Sequence, residues 1–94
     1  MNIFKNKLNT YKVYCDLDQN AKVRQFAEKH AAMGTVVETR AHGCLLKTNL
    51  RVTITFKSHD HEAQIYRAFM DDFKNHDIKI HGRTMSVRKE VGLV

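Results

Sequence analysis

His59-Asp60-His61-Glu62 is the densest run of titratable side chains in the sequence. Imidazoles and carboxylates are the donors a zinc ion takes, yet these two histidines stand only two residues apart. On a helix that spacing turns them about 200° away from each other, whereas helical zinc ligands sit four apart. A helix start accounts for the acids and a solvated surface for the imidazoles, so no metal is expected here. His30 falls on an apolar stripe and reads as a residue at the edge of a core. Asp16 ends a strand-like run, where a lone acid could serve a nuclease but more simply makes a turn or cap. Cys15 and Cys44 are the only cysteines and form no CxxC pair. With no secretion signal at Met1 to Lys7, both are expected reduced and buried in a cytoplasmic protein. There is no Ser-His-Asp order, no P-loop glycine pattern and no nucleophile elbow. The expectation is a protein without catalysis and without a cofactor.

Basic side chains around an aromatic ring offer a different chemistry. The formal charge is +6 on 94 residues, which favours an acidic partner. It is not evenly spread. One candidate helix carries Asp60, Glu62, Asp71, Asp72 and Asp77 against Arg67 and Lys74. The other carries Lys22, Arg24 and Lys29 against Asp18 and Glu28. The helices together are net negative, so strands, turns and ends hold more than the whole surplus. Lys12, Arg51, Lys57 and Arg88 would project from one sheet face, with Tyr14 among them. That combination grips phosphates while a ring stacks a base.

The elements that would position them follow from periodicity. Leu50, Val52, Ile54 and Phe56 alternate with Arg51, Thr53, Thr55 and Lys57, which is a strand with one apolar and one basic face. Ser58 follows as a candidate N-cap, with Asp60 and Glu62 in the first turn of a helix running from about His59 to about Asn75. Ala63, Tyr66, Phe69, Met70 and Phe73 form its apolar stripe. Earlier, Tyr11 to Leu17 alternates as a first strand. Val23, Phe26, Ala27, His30 and Met33 then recur at helical spacing, and Gly34 stands where a C′ glycine would end that helix. Thr35 to Ala41 reads as a second strand, with bends possible at His42-Gly43 or Thr48-Asn49. Ile78 and Ile80 alternate with Lys79 and His81, Gly82 bends the chain, and Met85 and Val87 mark a last strand. Residues 1–10 read as a flexible basic arm, 11–89 as a single domain and 90–94 as a tail. No run approaches the roughly 18 apolar residues of a membrane span. The order β-α-β-β-α-β predicts an α+β, ferredoxin-like fold, two helices on one face of a four-stranded antiparallel sheet.

Over Tyr11 to Lys89 the chain resembles the RNA-recognition-motif family. Val13-Tyr14-Cys15-Asp16-Leu17 is similar to that family's first-strand ribonucleoprotein motif, with Tyr14 at its outward aromatic position. Gly34-Thr35-Val36-Val37-Glu38 resembles the glycine and strand after the first helix. Val52-Thr53-Ile54-Thr55-Phe56-Lys57-Ser58 resembles the second motif, and Ile80-His81-Gly82-Arg83-Thr84-Met85-Ser86-Val87 the closing strand. Where the family sets two further outward aromatics, this chain has Arg51 and Thr53. Val52 to Asp60 is also similar to a strand of pterin-carbinolamine dehydratases, but their paired histidines and proline are replaced upstream by His42-Gly43.

The resemblance implies a small RNA-binding protein that uses its open sheet face. With one aromatic in place of three, its grip would be mainly electrostatic and weakly selective for sequence. Tyr14 would stack on a base, Lys12, Arg51, Lys57, Arg83 and Arg88 would meet phosphates, and Thr53 would lie between them. Such a protein would regulate or inhibit a nucleic-acid-handling enzyme. Its proline-free, lysine- and asparagine-rich composition suggests a phage or mobile-element gene. The alternative is a protein-binding module that docks an acidic partner or a second copy on the same face.

Overall fold

The computed structural model describes residues 7–44 and 47–90, with side chains described over 7–41 and 50–88. Among these residues, five strands and two helices follow one another as β1 (Asn9–Asp16), α1 (Asn20–His30), β2 (Val36–Cys44), β3 (Lys47–Ser58), α2 (Glu62–Asp72), β4 (His76–His81) and β5 (Thr84–Glu90). A one-turn 3-10 helix, Leu17–Gln19, leads into α1. Residues 1–6 and 91–94, most of the expected arm and tail, lie outside the described residues.

The fold is α+β with two helices, as expected, but the sheet is neither four-stranded nor wholly antiparallel. Its order is β2-β3-β1-β5-β4. The Ile78/Ile80 alternation forms a strand of its own, and a tight hairpin joins it to the next. His81 pairs with Thr84, so the loop is Gly82-Arg83 alone. Gly82, at φ +60°, takes the left-handed conformation that such two-residue turns demand at their first position. The α2 crossover carries the chain from β3 to the far edge of the sheet. β5 then folds back into the gap beside β1 and must run parallel to it, with Lys12 opposite Thr84 and Cys15 opposite Val87.

Both helices cover one face of this sheet. Tyr11, Val13 and Cys15 from β1, Val52, Ile54 and Phe56 from β3, and Met85 and Val87 from β5 are buried against Val23, Phe26 and Ala27 of α1 and Ile65, Phe69 and Phe73. Phe26 is the hub, with ring centroids 5.4 Å from Phe69, 6.2 Å from Phe56 and 6.3 Å from Phe73.

The helix stripes differ from the pattern read above. Ile65, Phe69 and Phe73 are the buried side of α2, while Ala63 and Met70 face solvent. The helix begins later than Ser58 would place it. His61 is the N-cap, its ring accepting from Ala63 N, and Gln64 Oε1 in turn accepts from His61 N. Ser58 ends β3 fully buried, and its hydroxyl accepts from Asp60 N at 3.0 Å.

At the other helix, α1 stops at His30, four residues short of Gly34, and Met33 is exposed. Tertiary contacts set that end. Ala32 N donates to Lys57 O at 2.8 Å and His30 Nδ1 lies 3.0 Å from Asp60 Oδ2, which draws the departing chain onto the end of β3. Both expected bends lie inside the β2–β3 ladder, His42 opposite Asn49 and Gly43 opposite Thr48. Among the described residues, no helix is long and apolar enough to cross a membrane.

Candidate functional site

Side chains alternate along a strand, so the residues between the core positions point to the face without helices. Strand register assembles them into rows, because residues opposite each other share a face. The central row is Glu38, Thr53, Tyr14, Ser86 and Lys79, crossing all five strands. Beside it run Val36, Thr55, Lys12, Thr84 and His81. On the other side Arg40, Arg51 and Asp16 stand in line, and Arg88 follows Val87 at the β5 end of that row.

Tyr14 is thus the middle of the open face, and the residue is 41% exposed. Two shallow depressions flank it. One, of about 240 Å³, is lined by Lys12, Tyr14, Glu38, Arg40, Arg51 and Thr53. The other, of about 230 Å³, has Tyr14, Asp16, Arg51, Lys79, Ser86 and Arg88 among its lining residues. Tyr14 and Arg51 form the ridge that both share.

The charges on this face do not balance. Asp16 is the carboxylate nearest Arg51, with Oδ1 3.9 Å from Nε, too far for a hydrogen bond. Arg51 Nε is buried and has no hydrogen-bond partner among the described residues. A buried donor left without an acceptor costs roughly 1–3 kcal/mol. Arg40 lies directly opposite Arg51 across the β2–β3 ladder, an arrangement of like charges that destabilises a sheet. Oxygens of an anion beside the exposed part of the Arg51 side chain, 42% accessible, would offset the like-charge contact.

Five of the seven residues singled out from the sequence share this centre: Lys12, Tyr14, Arg51, Thr53 and Arg88. Lys57 is on the same face but at its end, opposite Thr10. Arg83 is elsewhere. Its guanidinium donates to Asn9 Oδ1 at 3.1 Å and lies 3.5 Å from Glu62 Oε1, at the start of α2 on the helix side. Arg40, Glu38, Lys79 and His81 were missed. Lys79 and His81 alternate with Ile78 and Ile80, a signal that assigns them to the open face once β4 counts as a strand. Arg40 follows from the same parity in β2.

The histidine run has structural uses. His61 caps α2, Asp60 holds His30, and His59 Nδ1 lies 3.2 Å from Lys7 O. Among the described residues, no group of three or more His, Cys, Asp or Glu side chains is placed to hold a metal. The Cys15 thiol is pushed up to about 11, first by burial and then by the neighbouring Asp16 charge. It stays un-ionised near neutrality and is no nucleophile.

No family model, curated protein or solved structure matches this chain.

Proposed function

We propose that the protein binds single-stranded RNA on its open sheet face, without catalysing a reaction. Its architecture would be a five-stranded elaboration of the ferredoxin-like, RNA-recognition-motif arrangement. One observation carries the reading: an exposed aromatic at the centre of a five-stranded face, between two depressions that share an arginine whose side chain is 42% exposed. A base stacks on Tyr14, and the phosphates on either side fall within reach of Arg40, Arg51, Lys12, Arg88 and Lys79. Threonines and a serine between them supply hydroxyls to sugars and base edges. An unpaired strand fits better than a duplex, because a stacking platform needs a base free of its own stack. A protein of this kind acts by occupying RNA, and so as a regulator or inhibitor of an enzyme that handles it.

Fluorescence anisotropy with labelled single-stranded and duplex RNA tests the proposal. If ~3–5 phosphates are neutralised on the single strand, log K against log salt should fall with a slope of about −2 to −3.5. The purified protein should also lose a 260 nm absorbance excess after ribonuclease and a high-salt wash. A flat salt response, or equal affinity for duplex, would overturn the mechanism. Absence of RNA binding together with capture of an acidic protein on Tyr14 and Arg51 would establish the open face as a protein-docking surface instead.

A further inference from the structure

We propose that β2 is a self-association edge, through which two copies of this chain pair into one continuous ten-stranded sheet. The two edges of the sheet differ in a way that selects it. β4 is short, six residues, and its pairing with β5 is broken by a bulge between His76 and Ile78. Short, bulged edge strands are devices that prevent edge-to-edge pairing. β2 is nine residues long and keeps an unbroken register with β3 from Val36 to Cys44. It carries no proline, and every side chain described on it is exposed, Val36 at 57% and Val37 at 37%. Helix α1 packs on β1 and β3, and the described β2 side chains, Val36 to Ala41, stay exposed on both faces.

Charge identifies the occupant. Glu38 lies opposite Thr53, and Arg40 lies opposite Arg51. Neither Glu38 nor Arg40 enters an ion pair among the described residues. Each lacks what the other has. A two-fold axis through Thr39 sets Glu38 of one copy opposite Arg40 of the second, and Arg40 opposite Glu38, on the open face. The same register sets Val37 opposite Ala41 twice on the helix side. Slipping the axis to Val37 places Glu38 against Val36, and slipping it to Ala41 places Arg40 against His42, so both charge pairs are lost. Only the Thr39 register satisfies both ions while keeping the two helix layers on one side. Such an isologous contact closes on itself as a dimer. It would relieve the like-charge conflict between Arg40 and Arg51 and join two open faces edge to edge. None of this depends on RNA.

Sedimentation velocity of the full chain tests it without any ligand. The parent should sediment as a dimer that dissociates on dilution. Glu38→Arg sets arginines against arginines at both charge pairs, and Arg40→Glu sets glutamates against glutamates. Each variant alone should dissociate at a roughly tenfold or higher concentration than the parent, since two favourable cross-strand pairs become repulsive. Mixed in equal amounts, the two variants should form a heterodimer, which also shows that both are folded. A parent that is monomeric at every attainable concentration would overturn the proposal. So would variants that dimerise like the parent, or a mixture that yields no heterodimer.

Discussion

Tyr11 and Tyr14 are three residues apart on one strand and have opposite fates. Tyr11 faces the helices, is fully buried, and stacks on Phe56 with centroids 5.3 Å apart. Its hydroxyl donates to Asp60 O at 2.9 Å, and burial above all raises its pKa. Tyr14 faces away from the helices at 41% exposure, and no other aromatic ring stacks on it among the described residues. The same side chain is a structural pillar on one face and a free platform on the other. What separates them is strand parity and the side on which both helices pack. The faces divide their residue types in the same way. Apart from Ser58, the covered side buries only apolar and aromatic side chains among the described residues, whereas the open side is mostly polar, with Thr, Ser, Lys and Arg outnumbering Glu38, Asp16, Val36 and His81 around one ring.

The comparison breaks most sharply with matched truncations. Tyr11→Ala should destabilise the fold by ~3–5 kcal/mol, the usual cost of emptying a buried aromatic site, with a lost hydrogen bond included. Urea melts would read it as a fall in midpoint at constant slope. Tyr14→Ala should leave the midpoint within about ±0.5 kcal/mol of the parent. Its cost of roughly 1–3 kcal/mol should instead appear in RNA affinity, with little change in salt slope, because stacking releases few counterions. Equal stability losses for the two variants would show that Tyr14 supports the fold and is not a platform.

Much of this division is legible in alternation alone. Val13 and Cys15 against Lys12 and Tyr14, and Val52, Ile54 and Phe56 against Arg51 and Thr53, fix which residues point which way, and the structure keeps every one of those assignments. Which strands stand side by side is less legible. Ile78-Lys79-Ile80 has the period of a strand, but no local signal says that β5 will insert beside β1 and run parallel to it. That choice follows from where the α2 crossover ends and from Gly82 folding a two-residue hairpin. Helix ends are lost for a related reason. Ser58 and Gly34 have the chemistry of caps, yet burial takes Ser58 into a turn, and the His30–Asp60 contact ends α1 before Gly34 is reached. Ile65 falls outside the α2 stripe that periodicity suggests because Ala63, Tyr66 and Met70 offer an equally regular one. Only the position of α1 decides between them, through rings such as Phe26 against Phe69.

The open face can be divided further by its arginines. Arg51→Ala should lower RNA affinity and reduce the salt slope by about 0.7, one phosphate contact on a single strand. It should not lower stability, since it removes a buried donor that has no acceptor among the described residues and the like charge facing Arg40. A marked drop in the melting temperature would show instead that the Asp16–Arg51 pair, at 3.9 Å, stabilises the fold.

The smallest expected effect lies at Arg83, and it separates what composition suggests from what position permits. Arg83 and Arg88 are both arginines near the last strand, and both are exposed. Arg88 borders the depression beside Tyr14, whereas Arg83 is engaged by Glu62 at 3.5 Å and Asn9 at 3.1 Å on the helix side of the hairpin. Arg88→Ala should therefore reduce the salt slope by about 0.7 and leave stability unchanged. Arg83→Ala should leave the slope within error, because its charge is already opposed by a carboxylate and faces away from Tyr14. Its cost should instead be a stability loss of about 0–1 kcal/mol, the ordinary value of an exposed ion pair. If Arg83→Ala weakened RNA binding as much as Arg88→Ala, the RNA would have to wrap the Gly82 turn toward α2. The platform would then extend past the edge of the open face, and the division between the two faces would not hold at that end.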